Sequence, residues 1–95
     1  MKIYISGGIT NVPNFEEKFA RAEKQLKEWG YEVINPMMVR LPESCNHEDY
    51  MKVDLQLHDL ADGIYMLNGW DRSKGACIEH GFSLGNGKVI MFEKE

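Results

Sequence analysis

Asp54 and Glu79 are the side chains best suited to covalent or acid–base chemistry in this sequence. Glu79 lies in the run Gly69-Trp70-Asp71-Arg72-Ser73-Lys74-Gly75-Ala76-Cys77-Ile78-Glu79-His80-Gly81. Ser73 there is suited to cap a helix that carries Glu79 on its second turn. The free N–H groups at such a terminus favour a phosphate or a carboxylate. They stabilise ionised Glu79 by about 0.3–1 kcal/mol, which is expected to keep it a carboxylate at neutral pH. Gly75, one turn earlier, is expected to leave open space above the Glu79 side chain. Taken alone, Glu79 reads first as a solvated helix residue. Asp54 belongs to a second helix, expected over His47–Leu60. At about 100° per residue, Tyr50, Val53, Leu57, Leu60 and Ala61 form an apolar stripe, with Met51 and Leu55 to one side. Lys52, Gln56 and Asp59 share the opposite face, whereas Asp54 and His58 fall in the arc between Ala61 and Met51. A carboxylate in that position is costly unless it is paired or lines a cavity. Together, Asp54 and Glu79 make a candidate acid and nucleophile.

Ser6-Gly7-Gly8-Ile9-Thr10 is glycine-rich but matches neither G-x-G-x-x-G nor a P-loop, so the usual signatures of dinucleotide binding and NTP hydrolysis are missing. Gly7 and Gly8 either form a turn that needs positive φ or let a ligand's ring or sugar pass close to bare backbone. His47, His58 and His80 have no metal-ligand spacing, and no metal or cofactor is expected. Cys45 and Cys77 form no C-x-x-C pair, and both thiols are expected to be free. Cys77, in a helix expected to pack on a sheet through a Cys77–Leu84 face, reads as buried and inert.

Alternating strands and helices must position these groups. Lys2–Ser6 reads as a strand. Asn14, with Glu17 three residues on, suggests a capping box before a helix whose stripe is Phe15, Phe19, Ala22, Leu26 and Trp29. Gly30 ends that helix. Further strands are expected at Tyr31–Ile34, Asp62–Leu67 and Lys88–Phe92, with a third helix over Lys74–Asn86. Such alternation implies parallel βαβ units with right-handed crossovers. The expected fold is α/β, a three-layer, flavodoxin-like sandwich around a four-stranded parallel sheet. Ligands bind such sheets beyond the strands' C-terminal ends at the switch in strand order. Gly7-Gly8, Asn35-Pro36 and Asn68–Ser73 should converge there.

The 95 residues form one expected domain, 1–95. A chain of this size hides roughly 60–65% of its extended-chain surface on folding, enough for one modest core. With 11 Lys and Arg against 15 Asp and Glu, the net charge of −4 argues against duplex nucleic acid as partner. No apolar run approaches the roughly 20 residues of a membrane helix. The start, Met1-Lys2-Ile3-Tyr4-Ile5, is too short for a signal-peptide core, so a cytoplasmic location is expected.

Lys2-Ile3-Tyr4-Ile5-Ser6-Gly7, Asp54-Leu55 followed by Ala61-Asp62, and Ser73-x-Gly75-x-x-x-Glu79-x-Gly81 resemble the nucleoside 2-deoxyribosyltransferase superfamily. The likeness spans nearly the whole chain. It is strongest to the short bacterial and phage branch with a Tyr-Ile-Ser-Gly start and a Gly-Trp-x-x-Ser-x-Gly-Ala segment. The resemblance implies that Glu79 is the nucleophile attacking C1′ of the sugar, that Asp54 positions the sugar or transfers a proton, and that Tyr4 orients the nucleophile. It implies that Gly7 and Gly8 belong to a loop closing over the ligand. Ser73 matches a serine that contacts phosphate in relatives acting on 5′-monophosphates, although Gly8 replaces a hydroxyl residue found in some of them. Trp70 could stack on the base or cover the sheet edge. Larger relatives have a further C-terminal segment that enters a neighbouring subunit's site. Without it, water is expected to compete with a second base, giving a hydrolase rather than a transferase. The implied function is cleavage of the N-glycosidic bond of (deoxy)nucleosides or their 5′-monophosphates through a covalent glycosyl-Glu79 intermediate, as a transferase or a hydrolase. A homodimer or larger homo-oligomer is expected, since relatives pair through helices. The rival reading is a non-catalytic nucleotide-sensing module that uses the same pocket.

Overall fold

The structure is a computed structural model and describes residues 1–94. Strand β1 (Lys2–Ser6) is followed by helix α1 (Phe15–Glu28), β2 (Glu32–Ile34), α2 (His47–Asp59), β3 (Gly63–Met66), α3 (Lys74–Gly85) and β4 (Val89–Phe92). Single 3-10 turns at Pro36–Met38 and Trp70–Arg72 follow β2 and β3. Every element stands within a residue or so of its sequence-based position, the usual uncertainty at element ends.

The four strands are all parallel in the order β2-β1-β3-β4, with Tyr4 in register with Ile34 on one side and Ile64 on the other. These are the first four positions of the flavodoxin-like order, with its switch between β1 and β3. Strand alternation divides the core into two. Ile3, Ile5, Tyr65 and Leu67 pack beneath α1 on Phe19, Ala22 and Leu26. Tyr4, Ile64 and Met66 face the opposite way, toward Ala61 and Ala76. The result is three layers, with α1 on one face of the sheet and α2 and α3 on the other.

Three local expectations are corrected. Asn14 does not cap α1: its φ of 59° is left-handed and its side chain makes no capping bond, because an N-cap needs extended backbone to aim its oxygen at the first turn. The capping box stands instead at α2, where Asn46 accepts from the Asp49 N–H and Asp49 accepts from the Asn46 N–H, each at 3.0 Å. On α3 the buried face is Ala76, Glu79 and Ser83, spaced i, i+3 and i+7, whereas Cys77 is exposed and Leu84 is 62% exposed. The Cys77 thiol turns out toward the carbonyls of Trp70 and Asp71. Of the apolar stripe expected for α2, Tyr50, Val53 and Leu57 are part-buried, Leu60 is 65% exposed, and Ala61, just past the helix end, is buried. The fully buried side chain of that helix is His58.

The two asparagines should therefore respond differently. Asn46→Ala should cost about 1 kcal/mol, a fall in melting temperature of roughly 4–8 °C for a chain of this size. Asn14→Gly removes no capping bond and relieves a left-handed φ, so its melting temperature should match or exceed the parent's. Thermal denaturation followed by circular dichroism reads both.

Candidate active site

Alternation along β1 sends Tyr4 and Ser6 to the α3 side of the sheet. α3 in turn places Glu79, only 5% exposed, over the end of that strand. The Tyr4 hydroxyl donates to Oε2 of Glu79 at 2.6 Å, and the Ser6 hydroxyl donates to Oε1 at 2.5 Å. Each carboxylate oxygen thus has its own donor from one strand, and hydrogen bonds to an ionised group are the strong kind. They do not fully offset desolvation. Burial, helped by the negative charge of Asp54, pushes the Glu79 carboxyl up to about 7 against the lowering effect of Ser6 and Tyr4. Glu79 is therefore not held as a carboxylate by its helix terminus, as sequence suggested; burial brings its titration up toward neutral pH. The Tyr4 phenol is pushed far upward, first by burial and then by Glu79 and Asp54, so it stays a donor at every physiological pH.

Asp54 faces the same cleft from α2. Its Oδ1 is buried without a hydrogen-bond partner, and burial raises its carboxyl to about 6, opposed by His47. Two carboxyls that feel each other's charge titrate as a pair. Between about 6 and 7 that pair holds one proton on average. The cleft encloses about 1010 Å³ at the C-terminal edge of the sheet, at the top of the range for small-molecule sites. Gly7-Gly8 after β1, Pro36 after β2 and Asn68, Gly69, Arg72 and Ser73 after β3 contribute to its wall, as the switch in strand order requires.

Asp54, Glu79, Gly7, Gly8, Ser73 and Gly75 all line this cleft. Tyr4 does not: it is fully buried beneath the floor and reaches the cleft only through Glu79. Trp70 does not either. Its ring stacks on His80 at 4.4 Å and meets Phe92 at 6.0 Å, covering the α3–β4 side of the sheet. Gly7 and Gly8 have no positive φ. Gly7 is needed for space, because a Cβ there would come within 2.8 Å of the Leu67 side chain. The expected opening at Gly75 is filled by α2, since a Cβ would stand 3.2 Å from Met51 and 3.5 Å from the His47 ring. Ser73 caps α3 by accepting from the Ala76 N–H at 3.2 Å. Among the described residues, no three His, Cys, Asp or Glu side chains gather as a metal site would require. No described helix is long and apolar enough to cross a membrane.

Sequence reasoning missed Ser6, although period-two alternation puts it on the same face as Tyr4. It also missed the cations of the cleft wall, Lys18, Arg40, Arg72 and Lys74. Arg72 and Lys74 flank Ser73 and were open to inspection. Lys18 and Arg40 lie on separate segments that only the fold brings together.

The structure is similar to a 2-deoxyribosyltransferase from the psychrotolerant bacterium Bacillus psychrosaccharolyticus, with a TM-score of 0.75 and 25% identity over 97% of this chain and 71% of that one. A conserved protein from Enterococcus faecalis V583 shares the fold, with a TM-score of 0.70 and 15% identity over 97% of this chain and 62% of that one. No curated protein sequence matches the chain. A family model described as a domain of unknown function, DUF4406, matches residues 1–92, and the chain belongs to that family.

Proposed function

We propose that the chain cleaves the N-glycosidic bond of a nucleoside 5′-monophosphate, with Glu79 as nucleophile and Asp54 as acid. The observation that carries this reading is a buried carboxylate with both oxygens held by hydroxyl donors, facing a second, half-buried carboxyl across one cleft. Similarity to a 2-deoxyribosyltransferase supports a nucleoside substrate. Lys18, Arg40, Arg72 and Lys74 along the cleft wall favour the phosphorylated form.

In the first step an oxygen of ionised Glu79 bonds to C1′ while the C1′–N bond breaks. The bonding pair leaves on the base nitrogen, which takes the proton of Asp54. In the second step water attacks C1′, the ester C1′–O bond breaks and returns its pair to Glu79, and the water's proton goes to Asp54. A second base in place of water gives transfer. Two displacements retain the anomeric configuration. The step needs one proton on the pair, and it proceeds from the minor tautomer, with Glu79 ionised and Asp54 protonated, since the higher Glu79 value places the proton mainly on Glu79. Incubation with deoxynucleosides and their monophosphates, followed by chromatography of free base, tests this directly. Base release with preference for the monophosphate is expected; tight binding without release would favour a sensing module instead.

Glu79→Gln should reduce base release by roughly 10³-fold or more, as loss of a covalent nucleophile does elsewhere. Its stability should move the other way. The Glu79 pKa rises from 4.5 to about 7 on folding, so the stabilisation from its neutral form is present below about 4.5 and lost as pH rises through about 7. A glutamine has no such loss. The stability of the variant relative to the parent should therefore grow between those two pH values in urea unfolding.

The pH profile of base release should be bell-shaped, with its maximum between about 6 and 7, where the pair holds one proton. Asp54→Asn should remove the alkaline limb and lower the rate by about 10²–10⁴-fold, the range for loss of a general acid. Rates measured from pH 5 to pH 9 decide the matter; a surviving alkaline limb would assign that limb to another group.

A further inference from the structure

Behind the Tyr4–Glu79 hydrogen bond stands a buried titratable group with no part in the chemistry above. His58 is fully buried. Its ring stacks on that of Tyr4 with centroids 5.0 Å apart and planes 9° from parallel. Phe82 leans on it at 4.9 Å, and its Nε2 shares a 2.6 Å hydrogen bond with Oγ of Ser83. Its Nδ1 is buried without a partner. Placing the proton on Nε2, as donor to Ser83, leaves an unpaired lone pair at Nδ1, whereas the other tautomer would bury an unpaired N–H. Ser83 and Glu79 are one helical turn apart on the same face of α3. The contacts therefore run from Glu79 through Tyr4 and His58 to Ser83, drawing on β1 and α2, with both ends of the run on one face of α3.

We infer that His58 is a positioning residue for the nucleophile: buried between Tyr4 and Phe82, its ring fixes the plane of Tyr4 and so holds the phenol O–H on Glu79. The inference deepens the glycosidic reading and depends on it only for its kinetic consequence. Tyr4 spans the gap from β1 to α3 with a single hydroxyl, and a ring free to tilt would leave Oε2 of Glu79 without its donor for part of the time. Glu79 would then be harder to ionise and less well aimed at C1′. Burial, and secondarily the charge of Lys88, drives the His58 imidazole down to about 4, with Asp59 opposing. The brace thus stays neutral across the range in which Glu79 titrates and adds no charge to the site.

Three substitutions separate the contacts. His58→Phe keeps a stacking ring and loses the bond to Ser83. His58→Gln keeps a donor for Ser83 and loses the ring. His58→Ala loses both. The first readout is the Glu79 carboxyl titration by NMR of the ¹³C-labelled protein without substrate. It is repeated in Asp54→Asn because Asp54 is the other carboxyl facing Glu79, alongside the hydroxyls of Tyr4 and Ser6. The midpoint should rise by about half to one pH unit in His58→Gln and His58→Ala, the effect of weakening one hydrogen bond to the ionised form. In His58→Phe it should stay at the parent's value. The second readout is base release, for which kcat should fall roughly 10-fold or more in the ring-less variants at unchanged KM and recover in His58→Phe. If His58→Ala does not fold, the contrast of Phe with Gln decides. Parent-like midpoints in every folded variant, even with lowered melting temperatures, would overturn the inference. So would a midpoint that moves in His58→Phe but not in His58→Gln. A parent protein that releases no base while the midpoints move as expected would defeat the glycosidic reading and leave the positioning role standing.

Discussion

The arrangement depends on one costly act, the burial of the Glu79 carboxyl against the C-terminal end of β1. Removing a carboxylate from water without partners is prohibitive. Here the partners are two hydroxyls two residues apart on one strand, which is the spacing that sends both side chains to the same face. Tyr4 and Ser6 can serve Glu79 only if α3 runs directly over β1 and β3. α3 can approach that closely only because its inner face is made of Ala76, Glu79 and Ser83 rather than large apolar residues. Strand order, helix placement and site chemistry are thus aspects of a single constraint.

The same burial sets the functional balance. A carboxyl left in water would be fully ionised and fully solvated, a weak nucleophile. One buried without donors would stay protonated. With two hydroxyl donors opposing desolvation and the charge of Asp54, Glu79 sits at about 7, poised between those limits. Perturbed carboxyls of this kind, paired across a cleft, are characteristic of sites that trade protons. Stability is given up for this, because every Glu79 that ionises gives up part of the folding free energy.

Much of this was legible in the sequence because it rests on local rules. The alternation of strand and helix, the Ser73 cap and the convergence of three loops all follow from periodicity and turn chemistry. Asp54 was legible too, as a carboxylate inside an apolar arc. What was hidden is whatever requires two elements to meet. Cys77 and Leu84 made the outer face of α3 look like the inner one, since hydrophobicity alone does not reveal that Glu79 and Ser83 find partners on β1 and α2. Trp70 offered a ring for stacking, yet His80, one turn beyond Ala76, takes it up. Asn14 has the right residue type for a cap and the wrong backbone. Gly75 marked the place where two helices touch, and its missing side chain is occupied by Met51 and His47 rather than by space for a ligand.

The central claim is that Glu79 bonds covalently to the sugar. Rapid acid quenching of the protein during turnover of a deoxynucleoside monophosphate, followed by peptide mass spectrometry, tests it most directly. The account predicts a deoxyribose phosphate adduct on the peptide containing Glu79, carried as an ester on that side chain and absent from Glu79→Gln. Base release accompanied by no adduct, or by an adduct on another residue, would contradict it.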